Sequence, residues 1–126
     1  MRTIIVITFY FILGCAMASD PVTTVDSLRL TDKELNILEA EALKGSGMDA
    51  VKISNFYLLV KENKNDALKW ALIAAENESD VGQYIVGYLT YDSSDPMVRL
   101  RAKYWLEKSS KNGNIRAKEL LEEIEK

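Results

Sequence analysis

The sequence has 126 residues, no histidine, and one cysteine, Cys15. Without histidine the chain lacks the commonest general base, serine–histidine triads and most zinc sites, and beyond Cys15 it has no thiol nucleophile. With 16 basic and 19 acidic residues and no basic run, it lacks the charge pattern of nucleic-acid-binding proteins and of basic amphipathic helices that lie on anionic lipid.

The first eighteen residues have the pattern of a secretory signal peptide. Arg2 supplies a positive start, residues 3–13 are mostly apolar, and Ala16 and Ala18 are the small residues that a signal peptidase reads. The apolar stretch is shorter than the roughly 20 residues of a membrane-spanning helix. The sequence therefore predicts a cleaved signal peptide over residues 1–18 and export to the periplasm.

Cys15 supports a second interpretation of the same segment. Leu13, Gly14 and Cys15 resemble a bacterial lipobox, in which the cysteine becomes the lipidated first residue. In that case the signal ends before Cys15, and the protein is an outer-membrane lipoprotein; otherwise Cys15 is a small apolar residue of the cleaved segment. Membrane contact is predicted only through this lipid anchor.

After the leader, residues 19–30 have no helical periodicity and predict a tether, whereas residues 31–126 predict a helical domain. Thr31 and Glu34 form a capping box, Asp95 precedes Pro96 as a helix start, and Gly113 is a helix stop. Six helices are predicted: from the cap at residue 31 to the stop at 45–47, then 48–60, 66–77, 80–91, 96–111 and 115–124. The short turns between them predict antiparallel neighbours.

Part of this helical pattern repeats. Ala102 and Trp105 lie 35 residues after Ala67 and Trp70. A period of roughly 20–50 residues is typical of repeat architectures, which present extended surfaces to macromolecules more often than catalytic pockets.

Two segments carry a resemblance to a known family. Gln83 to Gly87 is similar to the first-helix motif of the Sel-one-like repeat (Ala-Gln-Tyr-x-Leu-Gly), and Ala102 to Ala117 resembles its second-helix motif. Glu78 replaces the usual glycine in an earlier copy. The resemblance implies an all-α, short right-handed α-solenoid of about three antiparallel helical hairpins, related to tetratricopeptide repeats and serving in protein–protein interaction. The predicted repeat-packing residues are Ala67, Trp70, Ala74, Gly82, Gly87, Ala102, Trp105 and Ala117.

A stripe of aromatic residues is the predicted partner-binding site. Tyr84, Tyr88 and Tyr91 follow i, i+4, i+7 spacing and share one helix face, and Ile53 and Tyr57 hold the corresponding places one unit earlier. Tyrosine is enriched in binding hot spots, which favours a contact surface. The same spacing also fits residues buried between neighbouring hairpins, so both interpretations stay open.

The predicted function is a non-catalytic, protein-binding repeat module of the bacterial cell envelope, with no cofactor and no metal. Its partner is another protein and not nucleic acid. Small size, export, an acidic balance and the lack of catalytic equipment also suit an immunity protein that neutralises a periplasm-acting toxin, for example of a type VI secretion system. A small envelope hydrolase that uses only carboxylates is a further alternative.

Overall fold

A computed structural model describes residues 25–126, which form an all-α fold without strands. A short 3₁₀ turn, Asp26–Leu28, precedes the first helix, and a π-helical turn, Phe56–Val60, extends the second. The six α-helices are α1 Asp32–Leu43, α2 Gly47–Asn55, α3 Lys64–Glu76, α4 Asp80–Thr90, α5 Pro96–Lys111 and α6 Ile115–Ile124.

Each α-helix begins at a side chain that accepts a hydrogen bond from a backbone N–H of the first turn. At α1 the predicted capping box is present: the Thr31 backbone N–H donates to the Glu34 carboxylate at 2.8 Å, and the Glu34 N–H donates to Thr31 Oγ1 at 3.2 Å. Capping depends on local sequence, and the six helix starts therefore lie within two residues of their predicted positions. The capping residues are Thr31, Ser46, Asn63, Ser79, Asp95 and Asn114.

Three of the turns share one conformation. Gly45, Glu78 and Gly113 follow the C-caps of α1, α3 and α5 with φ of 114°, 63° and 92°. In each turn the N–H of the next residue donates to the carbonyl five residues earlier, at 3.0 to 3.1 Å. This is the Schellman motif, which needs a left-handed residue after the helix. The α1–α2, α3–α4 and α5–α6 connections therefore share one hydrogen-bonding pattern.

The helices pack mainly against their neighbours in the chain, and α4 also contacts α2 and α6. Two clusters of buried residues form the core. The first lies among α3, α4 and α5 and contains Ala67, Ala71, Ala75, Ile85, Val86, Leu89 and Trp105. The second lies among α1, α2 and α3 and contains Ala42, Ala50, Ile53, Trp70 and Ala74. Alanine is frequent in both clusters, and its small side chain lets the helix backbones approach closely.

Two glycines of α4 lie where a larger residue would collide. A Cβ atom at Gly82 would be 2.5 Å from the Cβ of Ala74 and 2.8 Å from the backbone N of Ala75, and one at Gly87 would overlap the side chain of Leu106. Gly82 therefore sets the distance between α3 and α4, and Gly87 sets the distance between α4 and α5.

The predicted signal peptide and Cys15 lie outside the described residues, and so does the first half of the predicted tether, residues 19–24. Between residues 25 and 126, no helix is long and apolar enough to cross a membrane.

Candidate protein-binding face

Helix α4 lies at the centre of the helical array, and buried polar contacts hold it in place. The side chain of Gln83 is fully buried; its Nε2 donates to the Ala75 carbonyl at 3.3 Å, and its Oε1 accepts from Asn112 Nδ2 at 3.0 Å. The Ser109 hydroxyl, also buried, donates to the Asp80 carbonyl at 2.6 Å. These bonds tie α4 to the ends of α3 and α5, and therefore fix which face α4 turns outward.

The three tyrosines of the predicted stripe lie side by side along α4, and we call them the tyrosine ridge (Tyr84, Tyr88, Tyr91). The ring centroids of Tyr84 and Tyr88 are 5.8 Å apart, and those of Tyr88 and Tyr91 are 6.3 Å apart. Tyr88 is 48% exposed, whereas Tyr84 and Tyr91 are half-buried. The opposite side of α4 is buried, so the ridge is the solvent side of this helix.

The two residues predicted to continue the stripe on α2 have different surroundings. Ile53 is fully buried in the core with Trp70, and therefore it packs the fold and offers no contact surface. Tyr57 is half-buried in the π-helical turn, where its ring meets Phe56 edge-on with centroids 5.4 Å apart. Of the five residues of the predicted stripe, Tyr88 on α4 is therefore the one with an exposed side chain.

Burial raises the pKa of the Tyr57 and Tyr84 phenols above the ordinary value. For Tyr57, the carboxylates of Glu39 and Asp66 raise the pKa further. For Tyr84, Tyr88 adds to the upward shift of the pKa, while Arg116 opposes it. Both phenols are therefore neutral at physiological pH and can donate as well as accept a hydrogen bond in a contact.

Two shallow grooves flank the start of α4. One runs toward α2 along Met48 and Val51, the other runs toward α6 along Tyr84 and Ile115, and both are bordered by Val81. Met48 is 70% exposed and Ile115 is 71% exposed. The sequence analysis did not select these two residues. The available signal was a large apolar side chain in the first turn of a helix, a place where a side chain can remain outside the core.

The eight predicted repeat-packing residues are all buried. Trp70 and Trp105 are each 5% exposed, and the Trp105 indole N–H has no hydrogen-bond partner among the described residues. Arg101 and Lys108 lie over the Trp105 ring, at 5.0 and 5.7 Å from its centroid. The tryptophans therefore fill space between helices and lie beneath the surface.

The side chains of this face are mainly aromatic and apolar, with charged groups beside them. Within residues 25–126 no group of three or more histidine, cysteine, aspartate or glutamate side chains could hold a metal ion. The face combines aromatic rings, the neutral phenol of Tyr84, exposed apolar side chains at the groove edges and the charged groups of Asp80 and Arg116. Aromatic residues with a polar end are the residue types that dominate binding energy in protein interfaces.

Comparison with known proteins gives one similarity over nearly the whole length. The chain is 24% identical over 140 aligned positions to the uncharacterized protein YibG of Escherichia coli (strain K12), covering 100% of this chain and 92% of that protein. No family model matches the sequence. No solved structure matches either. The chain is thus similar along its full length to a bacterial protein whose name states no activity.

Proposed function

We propose that this chain is a non-catalytic, protein-binding repeat module of the bacterial cell envelope, built as a short α-solenoid of the Sel-one-like type. The three equivalent turns and the neighbour-to-neighbour helix packing support the solenoid arrangement. The leader-like residues 1–18 support export.

The observation that carries the binding proposal is the tyrosine ridge on α4. Three rings are aligned on a helix whose orientation is fixed by the buried side chains of Gln83 and Ser109. A rigid aromatic surface loses little conformational entropy when a partner binds, which favours affinity. The partner surface is expected to contact Tyr88, the most exposed ring of the three, and the apolar edges of the adjacent grooves.

Site-specific photo-cross-linking in the native cells tests this proposal. A photo-reactive phenylalanine analogue replaces Tyr88 in the full chain, and in a matched variant it replaces Asn65, an exposed residue of α3. We expect a discrete protein adduct at position 88 and none at position 65. Adducts at both positions, or at neither, would contradict binding through the ridge.

The identity of the adduct then separates an envelope adaptor from an immunity protein. An immunity protein is expected to yield one stoichiometric, tightly held partner that is toxic when it acts alone in the periplasm. An adaptor is expected to yield several partners that dissociate in dilute solution. The lack of histidine, the commonest general base, favours binding over hydrolysis in both cases.

A further inference from the structure

A second surface lies on α5, away from the tyrosine ridge. Its residues follow i, i+3, i+4 and i+7 spacings along the solvent side of α5 and therefore share one face. Three of them are large apolar residues with 71%, 63% and 43% of their surface exposed. We call this surface the α5 outer face; it consists of Met97, Leu100, Arg101, Tyr104, Lys108 and Lys111.

The repeat supplies an internal control for this face. Three residues of this face have counterparts on α3, one 35-residue period earlier in the chain. The three residues are Leu100, Arg101 and Tyr104. Those counterparts are Asn65, Asp66 and Lys69. Both helices contribute a buried alanine and a buried tryptophan to the core at equivalent places. The 35-residue pattern therefore does not require apolar residues on the outer side of the helix, and within residues 25–126 those of α5 remain exposed.

The charge of α5 also differs from that of its counterpart. α5 contains five basic residues and one acidic residue, whereas α3 contains two of each. The Arg101 guanidinium carbon is 4.3 Å from the Tyr104 ring centroid, and Arg101 has no ion-pair partner in the part of the chain that the structure describes. Lys108 is paired with Glu78 at 3.1 Å. The α5 outer face is thus apolar at its centre, with Arg101, Lys108 and Lys111 at its edges. Glu107, the one acidic residue of α5, borders the face and is 3.9 Å from the Nζ of Lys103.

We propose that the α5 outer face docks on an anionic phospholipid surface. Met97 and Leu100 project from the face and suit insertion among acyl chains, while Tyr104 suits the headgroup region. Arg101 and Lys111 then face the lipid phosphates, and basic side chains near an anionic surface are attracted to it within about one Debye length.

This contact goes beyond the proposed protein-binding function and does not depend on it. It departs from the sequence-based expectation, which found no basic amphipathic helix and predicted membrane contact only through a lipid at Cys15. The basic residues of α5 alternate with core residues such as Trp105, so no basic run is visible along the chain. A single acyl chain gives only marginal membrane binding, and a second, basic and apolar contact is what stable anchoring requires.

A fluorescent label on the face itself tests the proposal in the full chain. With Cys15→Ser as background, an environment-sensitive dye is attached at Leu100→Cys or, as the matched control, at Asn65→Cys. The probe surfaces are phosphatidylcholine vesicles with and without phosphatidylglycerol at roughly one third of the lipid. We expect a blue shift at position 100 that depends on phosphatidylglycerol, and no shift at position 65. A label at a defined position separates this contact from any vesicle binding by residues 1–24.

Charge reversal gives the second arm of the test. In the Leu100→Cys background, Arg101→Glu and Lys111→Glu are each expected to weaken vesicle binding several-fold, while Lys69→Glu on α3 leaves it unchanged. Melting curves of all variants exclude loss of the fold. Three results overturn the proposal: no fluorescence shift at position 100, equal shifts at both positions, or a shift of the same size with and without phosphatidylglycerol. A shift at position 100 with an acidic protein in place of vesicles, and none with vesicles, would assign the face to a protein partner and overturn it as well.

Discussion

The carboxylate of Glu78 lies 3.1 Å from the Nζ of Lys108, and this ion pair joins the α3–α4 turn to α5. Glu78 makes the contact from a left-handed backbone conformation, φ 63°, at the turn position that Gly113 occupies in the α5–α6 connection. A non-glycine residue in this region costs about 1 kcal/mol or more, whereas an exposed ion pair contributes about 0–1 kcal/mol.

Glu78→Gly is therefore expected to raise the free energy of unfolding by about 0.5 kcal/mol, because relief of the backbone outweighs loss of the ion pair. Chemical denaturation measures the change. Glu78→Gln, which loses the ion pair and keeps the backbone cost, is the control and should be neutral or slightly destabilising. A glycine variant that is less stable than the wild type but more stable than the glutamine variant would show that the ion pair outweighs the backbone cost. A glycine variant that is less stable than the glutamine variant would show that the backbone gains nothing from glycine at this position.

Gly82→Ala is expected to destabilise the fold by up to about 2 kcal/mol. Alanine favours the helix by about 1 kcal/mol over glycine, but its Cβ would meet the backbone of Ala75 at 2.8 Å, and overpacking of this kind costs about 1–3 kcal/mol. The melting temperature should fall by several degrees. Asn65→Ala, on the exposed side of α3, should change it little, and an unchanged melt for Gly82→Ala would contradict the close-approach role of this glycine.

Ser109→Ala is expected to cost about 1 kcal/mol, since it removes the buried 2.6 Å hydrogen bond to the Asp80 carbonyl. Alanine lacks only the hydroxyl group, so the substitution leaves a small cavity. The residue 35 positions earlier is Ala74, which shows that a helix of this chain accepts alanine at the corresponding buried place. Denaturant titration of Ser109→Ala beside Ser110→Ala, a less buried neighbour, measures the difference. Equal stability of the two variants would show that the bond contributes nothing net.

Stability should be nearly constant between about pH 6 and 8, because the chain has no histidine to titrate there. On the acid side, a hydrogen bond from the Thr31 backbone N–H lowers the pKa of Glu34 below its ordinary value of 4.5. The Ser46 hydroxyl likewise lowers the pKa of Asp49 below 3.8. A lowered pKa in the folded state adds stability above the ordinary pKa, and this stability is lost as the pH falls through the folded value.

Melting temperatures of the wild type and of Glu34→Gln, measured from neutral pH to about pH 3, check this dependence. The wild type should lose stability below about pH 4.5. The glutamine variant retains an uncharged cap and should lose less. A change in melting temperature between pH 6 and 8 would instead point to a titrating group that the described structure does not contain.

Tyr88→Ala should leave stability within about 0.5 kcal/mol of the wild type, since nearly half of the side chain is exposed. The same change should reduce capture of the protein partner at least tenfold, as expected for an aromatic hot spot. Tyr57→Ala should instead destabilise the fold, because this ring packs against both core clusters. If Tyr88→Ala captures the partner as well as the wild type does, the partner does not bind at the tyrosine ridge.

Local chemistry explains why the sequence predicted the helices so closely. A cap such as Thr31 with Glu34, or Asp95 before Pro96, satisfies free N–H groups within the same few residues, and a glycine such as Gly113 supplies a left-handed stop without distant partners. The π-helical turn at Phe56–Val60 departs from the predicted regular helix over 48–60, and no local signal marked it.

Exposure was decided by tertiary packing. Ile53 and Tyr88 belong to the same predicted stripe, yet Ile53 is fully buried and Tyr88 is about half exposed. The reason is that α2 packs against both α1 and α3, whereas the tyrosine side of α4 faces solvent. Helical spacing shows which residues share a face but not which neighbour covers it. The sequence thus determined the number and starts of the helices, through contacts within each turn. Only the packed array decided that Tyr88, Met48 and the α5 outer face are exposed, since burial depends on residues distant in the chain.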